Sequence, residues 1–208
     1  MEGIIATWYA HNTKGDIRGY GKTAQSVSDR LTPGSDVLEV APGPGYLAIE
    51  IARLGPYRVT GLDVSHSFVR IASENARRAG VTIDFQQGDA AHLPFPDESF
   101  DFVVCRAAFK NFSDPVGALD EIHRVLKPRG RVSIYDLRKD ASREAIDGEV
   151  RGMGSSWLNS FLTRWAFRLM LLKTAYTHDA LERMVSQSRF GKGEIREDGI
   201  GFDLRLAN

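Results

Sequence analysis

Apolar residues recur along this chain in two rhythms, short unbroken runs and longer stretches at helical spacing. The run Val37-Leu38-Glu39-Val40-Ala41 reads as a strand; after the turn Pro42-Gly43-Pro44-Gly45, the stretch Tyr46 to Leu54 sets Leu47, Ile51 and Leu54 on one helical face. Arg58 to Asp63 is a second strand. From Ser65, a helix cap, Phe68, Ile71, Ala72, Ala76 and Ala79 share one side of a helix that Gly80 ends. Val81 to Phe85 reads as a third strand. Phe100 to Cys105 is a fourth, apolar at nearly every position, as a strand covered on both faces is. Asp114-Pro115 opens a helix with the face Val116, Leu119, Ile122 and Leu126, closed by Lys127-Pro128-Arg129-Gly130, and Arg131 to Tyr135 is the fifth strand. Upstream, Thr13 to Leu31 predicts one amphipathic helix stopped by Thr32-Pro33-Gly34.

Strand–helix alternation of this kind predicts a parallel sheet with helices on both faces. After Asp140 the rhythm changes. Two helices, Ser156 to Lys173 and Thr177 to Ser188, follow without a strand between them, and the chain closes on two strand-like runs, Gly193 to Glu197 and Gly201 to Leu206, around a hairpin turn at Asp198-Gly199. We expect one domain: an N-terminal cap helix region (1–35), a core (36–139), a helical insertion (140–190) that packs or covers a substrate, and a C-terminal hairpin (191–208).

Composition narrows the function. With 27 basic and 27 acidic residues among 208, the chain lacks the basic footprint of a nucleic-acid binder, and zero net charge removes a barrier to a homodimer. A lone cysteine, Cys105, excludes an intrachain disulfide. The first residues lack the layout of a signal peptide. The apolar stretch Trp157 to Leu172 is broken by Asn159, Arg164 and Arg168, so a cytoplasmic protein without stable membrane insertion is expected. No His/Cys group has metal-ligand spacing, and no metal is expected.

Candidate chemistry gathers at the first loop. Gly43-x-Gly45-x-x-Ala48, with Asp63 about twenty residues on, satisfies a dinucleotide fingerprint. Its chemistry points elsewhere. Pro42 and Pro44 remove two N–H donors that a pyrophosphate would need, and Glu39 sets a negative charge beside the loop. S-adenosylmethionine (SAM) has no phosphate but carries an ammonium and a sulfonium, which Glu39 attracts, and a carboxylate that the helix start beyond Gly45 favours. An NAD-linked oxidoreductase remains the alternative at this point. Asp63, ending the second strand, can accept from ribose hydroxyls or cap the next helix. Asp89 can accept from the adenine amine, with Ala90 beside it, and Leu62, Val64 and Leu93 are candidates for its faces or for the core.

Val37-Leu38-Glu39-Val40-Ala41-Pro42-Gly43-Pro44-Gly45, then Gly61-Leu62-Asp63-Val64-Ser65, Gly88-Asp89-Ala90 with Leu93 to Asp101, and Leu119 to Gly130 together resemble the motifs of class I SAM-dependent methyltransferases, nearest in pattern to the ubiquinone/menaquinone type. The resemblance covers about Val37 to Leu137. It implies a Rossmann-like, doubly wound seven-stranded sheet of order 3-2-1-4-5-7-6 with the last strand antiparallel, which the tail hairpin fits. It also implies methyl transfer from SAM, leaving S-adenosylhomocysteine (SAH). Ala41 stands where the family usually has its first loop glycine, and negative φ is expected there. Cys105 and Arg106, ending the fourth strand, complete the candidate cofactor contacts with Glu39, Ala41, Gly43, Gly45, Asp63, Val64, Asp89 and Ala90.

In such a sheet the acceptor lies beyond the carboxyl ends of the strands, which nominates Arg106 to Phe112 and Asp136 to Arg138. Lys110 and Asn111 are the substrate candidates. His11, Tyr9 and Asp136 are the base candidates, with Trp8, Tyr9 and His11 placed to cover the cofactor. No Asp/Asn-Pro-Pro-Tyr motif follows the fourth strand, which disfavours nucleic-acid and protein-glutamine acceptors. The expected acceptor is a small aromatic or lipophilic molecule; a SAM-binding protein without transferase activity is the other alternative.

Overall fold

The computed structural model describes residues 2–3, 6, 17–152 and 175–208. Its frame is a seven-stranded sheet of order β3-β2-β1-β4-β5-β7-β6. The strands are β1 (Asp36–Val40), β2 (Arg58–Asp63), β3 (Asp84–Gln87), β4 (Phe100–Arg106), β5 (Leu126–Leu137), β6 (Glu194–Asp198) and β7 (Gly201–Ala207). The first five run parallel, and β7 pairs antiparallel with both β5 and β6. The order expected from the resemblance is the observed one.

Alternate residues along each strand supply the two faces. Val37, Phe102 and Val104 pack with Ala24 and Val27 of α1 (Ile17–Ser28) and Leu47, Ala48 and Ile51 of α2 (Tyr46–Leu54). Leu38, Val40, Val103 and Ile134 face the other way, against Ala118, Leu119 and Ile122 of α4 (Pro115–Val125) and Leu181 and Val185 of α6 (His178–Gln187). Burial on both sides explains why β1 and β4 lack polar alternation.

Caps sit where the sequence placed them. Ser65 Oγ accepts from Phe68 N–H at the start of α3 (His66–Ala79), which ends on left-handed Gly80 at φ 71°. Asp114 accepts from Gly117 N–H with Pro115 at the first helical position, and Thr177 caps α6. Boundaries moved where pairing outweighed residue type. β3 starts at Asp84 because the ladder with β2 begins at Thr60–Asp84. β5 reaches back to Leu126, which pairs with Phe100 before Lys127–Gly130 leave the ladder and Arg131 meets Phe102. The hairpin loop is Gly199-Ile200, one residue later than expected, with Gly199 at φ 56°. A further helix, α5 (Arg143–Gly152), went unread because it buries only Ile146 among its described side chains. The expected helix Ser156 to Lys173 lies outside the described residues, as does the start of the one expected from Thr13. Among the described residues no helix is long and apolar enough to cross a membrane.

Candidate active site

Strand order reverses direction between β1 and β4, and there the chain opens a cleft at the carboxyl ends of the strands, the place for a ligand in an open α/β sheet. The cleft, open to solvent, is lined by Val40 and Ala41 after β1, Leu62 and Val64 after β2, Gly88 to Ala91 after β3, and Asn111 to Asp114 after β4. Val64 stands 67% exposed at its wall.

The loop after β1 is held from three sides. Gly43 N–H donates to Asp63 Oδ2 (3.0 Å), Gly45 N–H to the Pro42 carbonyl (3.0 Å), and Asn75 of α3 reaches the Pro44 carbonyl (2.9 Å). The glycines have different reasons. Gly45 has φ 79°, and a Cβ there would lie 2.9 Å from both Ala72 Cβ and Phe85 Cζ, so close packing demands it. Gly43 has φ 54°, but a Cβ there would meet nothing within 4 Å, which leaves its backbone open to a ligand.

Ala41 overturns one expectation. Its φ is 56°, not negative, and its N–H continues the ladder to the Leu62 carbonyl at 2.7 Å. Pairing to β2 forces the backbone into a region that costs an alanine about 1 kcal/mol. Ala107, after β4, repeats the arrangement at φ 60°, with its N–H 2.7 Å from the Tyr135 carbonyl. Two strained alanines thus flank the reversal point, where strain gathers at functional sites.

Beneath the loop lies Glu39, 3% exposed. Ala48 N–H donates to its carboxylate, while Oε2 has no hydrogen-bond partner. Burial pushes its pKa up to about 8, against the pull of that N–H and of Arg106, with Asp63 adding to the rise. An orphaned buried carboxylate oxygen is a missing partner, and a cation supplies it.

Asp63 is buried as well. Its Oδ1 accepts from Ser65 N–H (2.9 Å) and its Oδ2 from Gly43 N–H, so it ties the β1 loop to the start of α3. Burial raises its pKa above the ordinary carboxylate value, opposed by those two N–H groups. Each oxygen retains a lone pair. Asp89 stands on the cleft rim, accepting from Ala91 N–H (3.0 Å), with Ala90 beside it. Leu93 belongs to the core.

On the acceptor side the structure brings two of the candidates together. Lys110 Nζ lies 2.7 Å from Asp136 Oδ1, with side chains 10% and 1% exposed, and also donates to the Ala107 carbonyl (3.0 Å). Asp136 further accepts from Lys110 N–H (3.0 Å) and Leu137 N–H (2.7 Å). Each is thus engaged by the other, and together they lock the turn Phe109–Asn111 to β5. Asn111 is left exposed on the cleft, among the cofactor candidates rather than apart from them. Cys105 is wholly buried. Arg106 stacks over the ring of Tyr20 at 4.4 Å, and Tyr20 stands 5.7 Å from Tyr46. Asn75, which reaches the loop, and Tyr20, which lies under Arg106, went unread, because helical residues distant in sequence give no local sign of such contacts. His11, Tyr9 and Trp8 lie outside the described residues.

The sheet order and its helices form the Rossmann-like fold seen in solved class I methyltransferases. Residues 38–134 match the methyltransferase domain family. The chain is 36% identical over 126 residues to a demethylmenaquinone methyltransferase of Deinococcus radiodurans, covering 60% of this chain and 52% of the relative. It is likewise 36% identical over 114 residues to a 2-phytyl-1,4-naphtoquinone methyltransferase of Synechococcus elongatus, covering 53% and 49%. The chain thus spans about half the length of the curated relatives it matches. A crystal structure of a putative S-adenosyl-L-methionine-dependent methyltransferase from Methanococcus maripaludis shares the fold at TM-score 0.73 and 22% identity, over 98% of this chain and 91% of the other.

Proposed function

We propose that this chain binds SAM and transfers its methyl group to a small, planar, oxygen-bearing aromatic acceptor of the quinone type. One observation carries the cofactor reading: a buried carboxylate with an unpartnered oxygen at the end of β1, beneath a loop whose two prolines leave few donors for a diphosphate. The residues fit the cofactor's groups. Glu39 faces the ammonium, Gly43 offers open backbone, Asp63 turns its remaining lone pairs to the ribose, and Leu62, Val64, Asp89 and Ala90 take the adenine. When bound, SAM supplies a sulfonium methyl for in-line displacement. The chain's own contribution is orientation and exclusion of water, worth roughly 7–11 kcal/mol in well-aligned reactions. Lys110 and Asp136 act by fixing the turn that carries Asn111. Tyr9 and His11, and the insertion 140–190, are the remaining candidates for proton transfer and acceptor selection. The quinone-type acceptor rests on the two relatives of that kind, and the cytoplasm is the compartment proposed.

The test is direct. Thermal-shift runs with SAM, SAH and NADH should show stabilisation by the first two and none by NADH. SAM and a reduced naphthoquinone should yield SAH and a product heavier by one methylene. A shift with NADH alone would refute the cofactor reading. The second reading, SAM binding without transfer, is favoured by the engagement of Asp136 in its ion pair; turnover on any acceptor ends it.

A further inference from the structure

Between β3 and β4 the chain runs through residues 88–99 without a helix or strand of its own, and its first part, Gly88 to Ala91, walls the cleft together with Ala118 of α4. Asp89 organises a tight turn there: Ala91 N–H donates to its Oδ1 and His92 N–H to its carbonyl, both at 3.0 Å. The turn is pinned at each end. Gly88 N–H donates to the Asp63 carbonyl of β2 (3.0 Å). At the far end two side chains of α4 grip Leu93: Glu121 Oε2 accepts from its N–H (2.9 Å), and Arg124 Nη2 donates to its carbonyl (2.9 Å). The Asp89 side chain is 55% exposed, so its aim depends on these pins rather than on packing.

Arg124 is fully engaged in the clasp. Nε and Nη2 bind the two oxygens of Glu121 (2.8 and 2.7 Å), and Nη1 reaches the Phe95 carbonyl and Asp97 Oδ1 (both 2.8 Å). With the Leu93 carbonyl, all five guanidinium N–H donors have acceptors. A planar fork spans these partners at once, whereas a lysine ammonium is a point charge with three donors. We propose that Arg124, acting through Glu121 and Leu93, is a positioning residue that aims Asp89 at the exocyclic amine of the cofactor's purine, and so makes the site select adenine over a 6-oxopurine. This rests on the SAM reading above and adds a specificity to it. A carboxylate held in place accepts from the amine and repels an oxygen standing there; on a loosened turn it does neither well.

Calorimetry on the full chain tests this, with SAH and S-inosylhomocysteine as probes. The two differ only in the purine, where an oxo group and a ring N–H replace the amine. The parent should prefer SAH by about tenfold or more, the size of one charge-assisted hydrogen bond. Arg124→Lys should bind SAH about fivefold more weakly and S-inosylhomocysteine within about twofold of the parent, so that the preference collapses. A merely structural role predicts a lower melting temperature and equal losses for the two probes. Should Arg124→Lys fail to fold, Glu121→Gln takes its place: it keeps the shape of the clasp, drops its charge and should lower the preference by about threefold. Equal losses for both probes, no loss for either, or a parent that binds both alike overturns the positioning role and leaves the cofactor reading intact. Failure of SAH to bind the parent overturns both.

Discussion

Replacing Asp136 by asparagine isolates the ion pair that now holds the acceptor-side turn. The carboxylate accepts from Lys110 Nζ, Lys110 N–H and Leu137 N–H, all within 3.0 Å, and both side chains of the pair are nearly closed to solvent. Asp136→Asn keeps the shape and one acceptor oxygen, but leaves the Lys110 ammonium with the Ala107 carbonyl as its charge-stabilising partner. Removing one member of a buried pair costs about 3–5 kcal/mol, because the other charge stays desolvated. In a domain of this size the melting temperature should fall by about 10 °C. Lys110→Met should cost a similar amount. Lys110→Met/Asp136→Asn, with both charges gone, should be more stable than the sum of the two singles, by about 2 kcal/mol. Urea unfolding at neutral pH, at low and at high salt, reads all three, and screening should change little for a pair so enclosed. Two single variants each within about 0.5 kcal/mol of the parent, or a strictly additive double, would refute the view that this pair organises the turn.

Gly45→Ala should destabilise the chain by about 2–3 kcal/mol and weaken SAH binding, since the new Cβ meets α3 and Phe85 at 2.9 Å and φ is positive; unchanged urea midpoints would contradict the packing argument. Ala41→Gly should stabilise by about 0.5–1 kcal/mol, as relief of the left-handed strain exceeds the added entropy of the unfolded chain; a loss of stability would place the strain elsewhere. The ligand-free protein should become less stable from about pH 5 to pH 8. Glu39 has a folded pKa raised from 4.5 to about 8, so its contribution is complete below the unfolded value and is lost as pH climbs through the folded one. Asp63 shifts in the same direction. For Glu39 the loss totals about 5 kcal/mol. The stability difference between Glu39→Gln and the parent should therefore widen by about 1 kcal/mol per pH unit in that window, measured by urea unfolding.

Much of the molecule is local in origin and was legible in the amino-acid order. Residue type alone selects a strand at Val37 to Val40, a cap at Ser65, a stop at Gly80 and a helix entry at Asp114-Pro115, because each depends on neighbours within four positions. The same holds for the ligand bias of the first loop, since a proline lacks its N–H in any fold. What needed the tertiary structure depends on partners far apart in the chain. The positive φ of Ala41 is imposed by the Leu62 carbonyl, 21 residues on. Lys110 and Asp136 each looked available until β5 brought them to 2.7 Å. The charge of Glu39 beside the loop was legible in sequence, but only the folded surroundings, with Ala48 of α2 and Cys105 and Arg106 of β4 beside it, strip it of water and leave one oxygen unmatched. Desolvation is a property of everything that surrounds a group, and no stretch of sequence carries it alone.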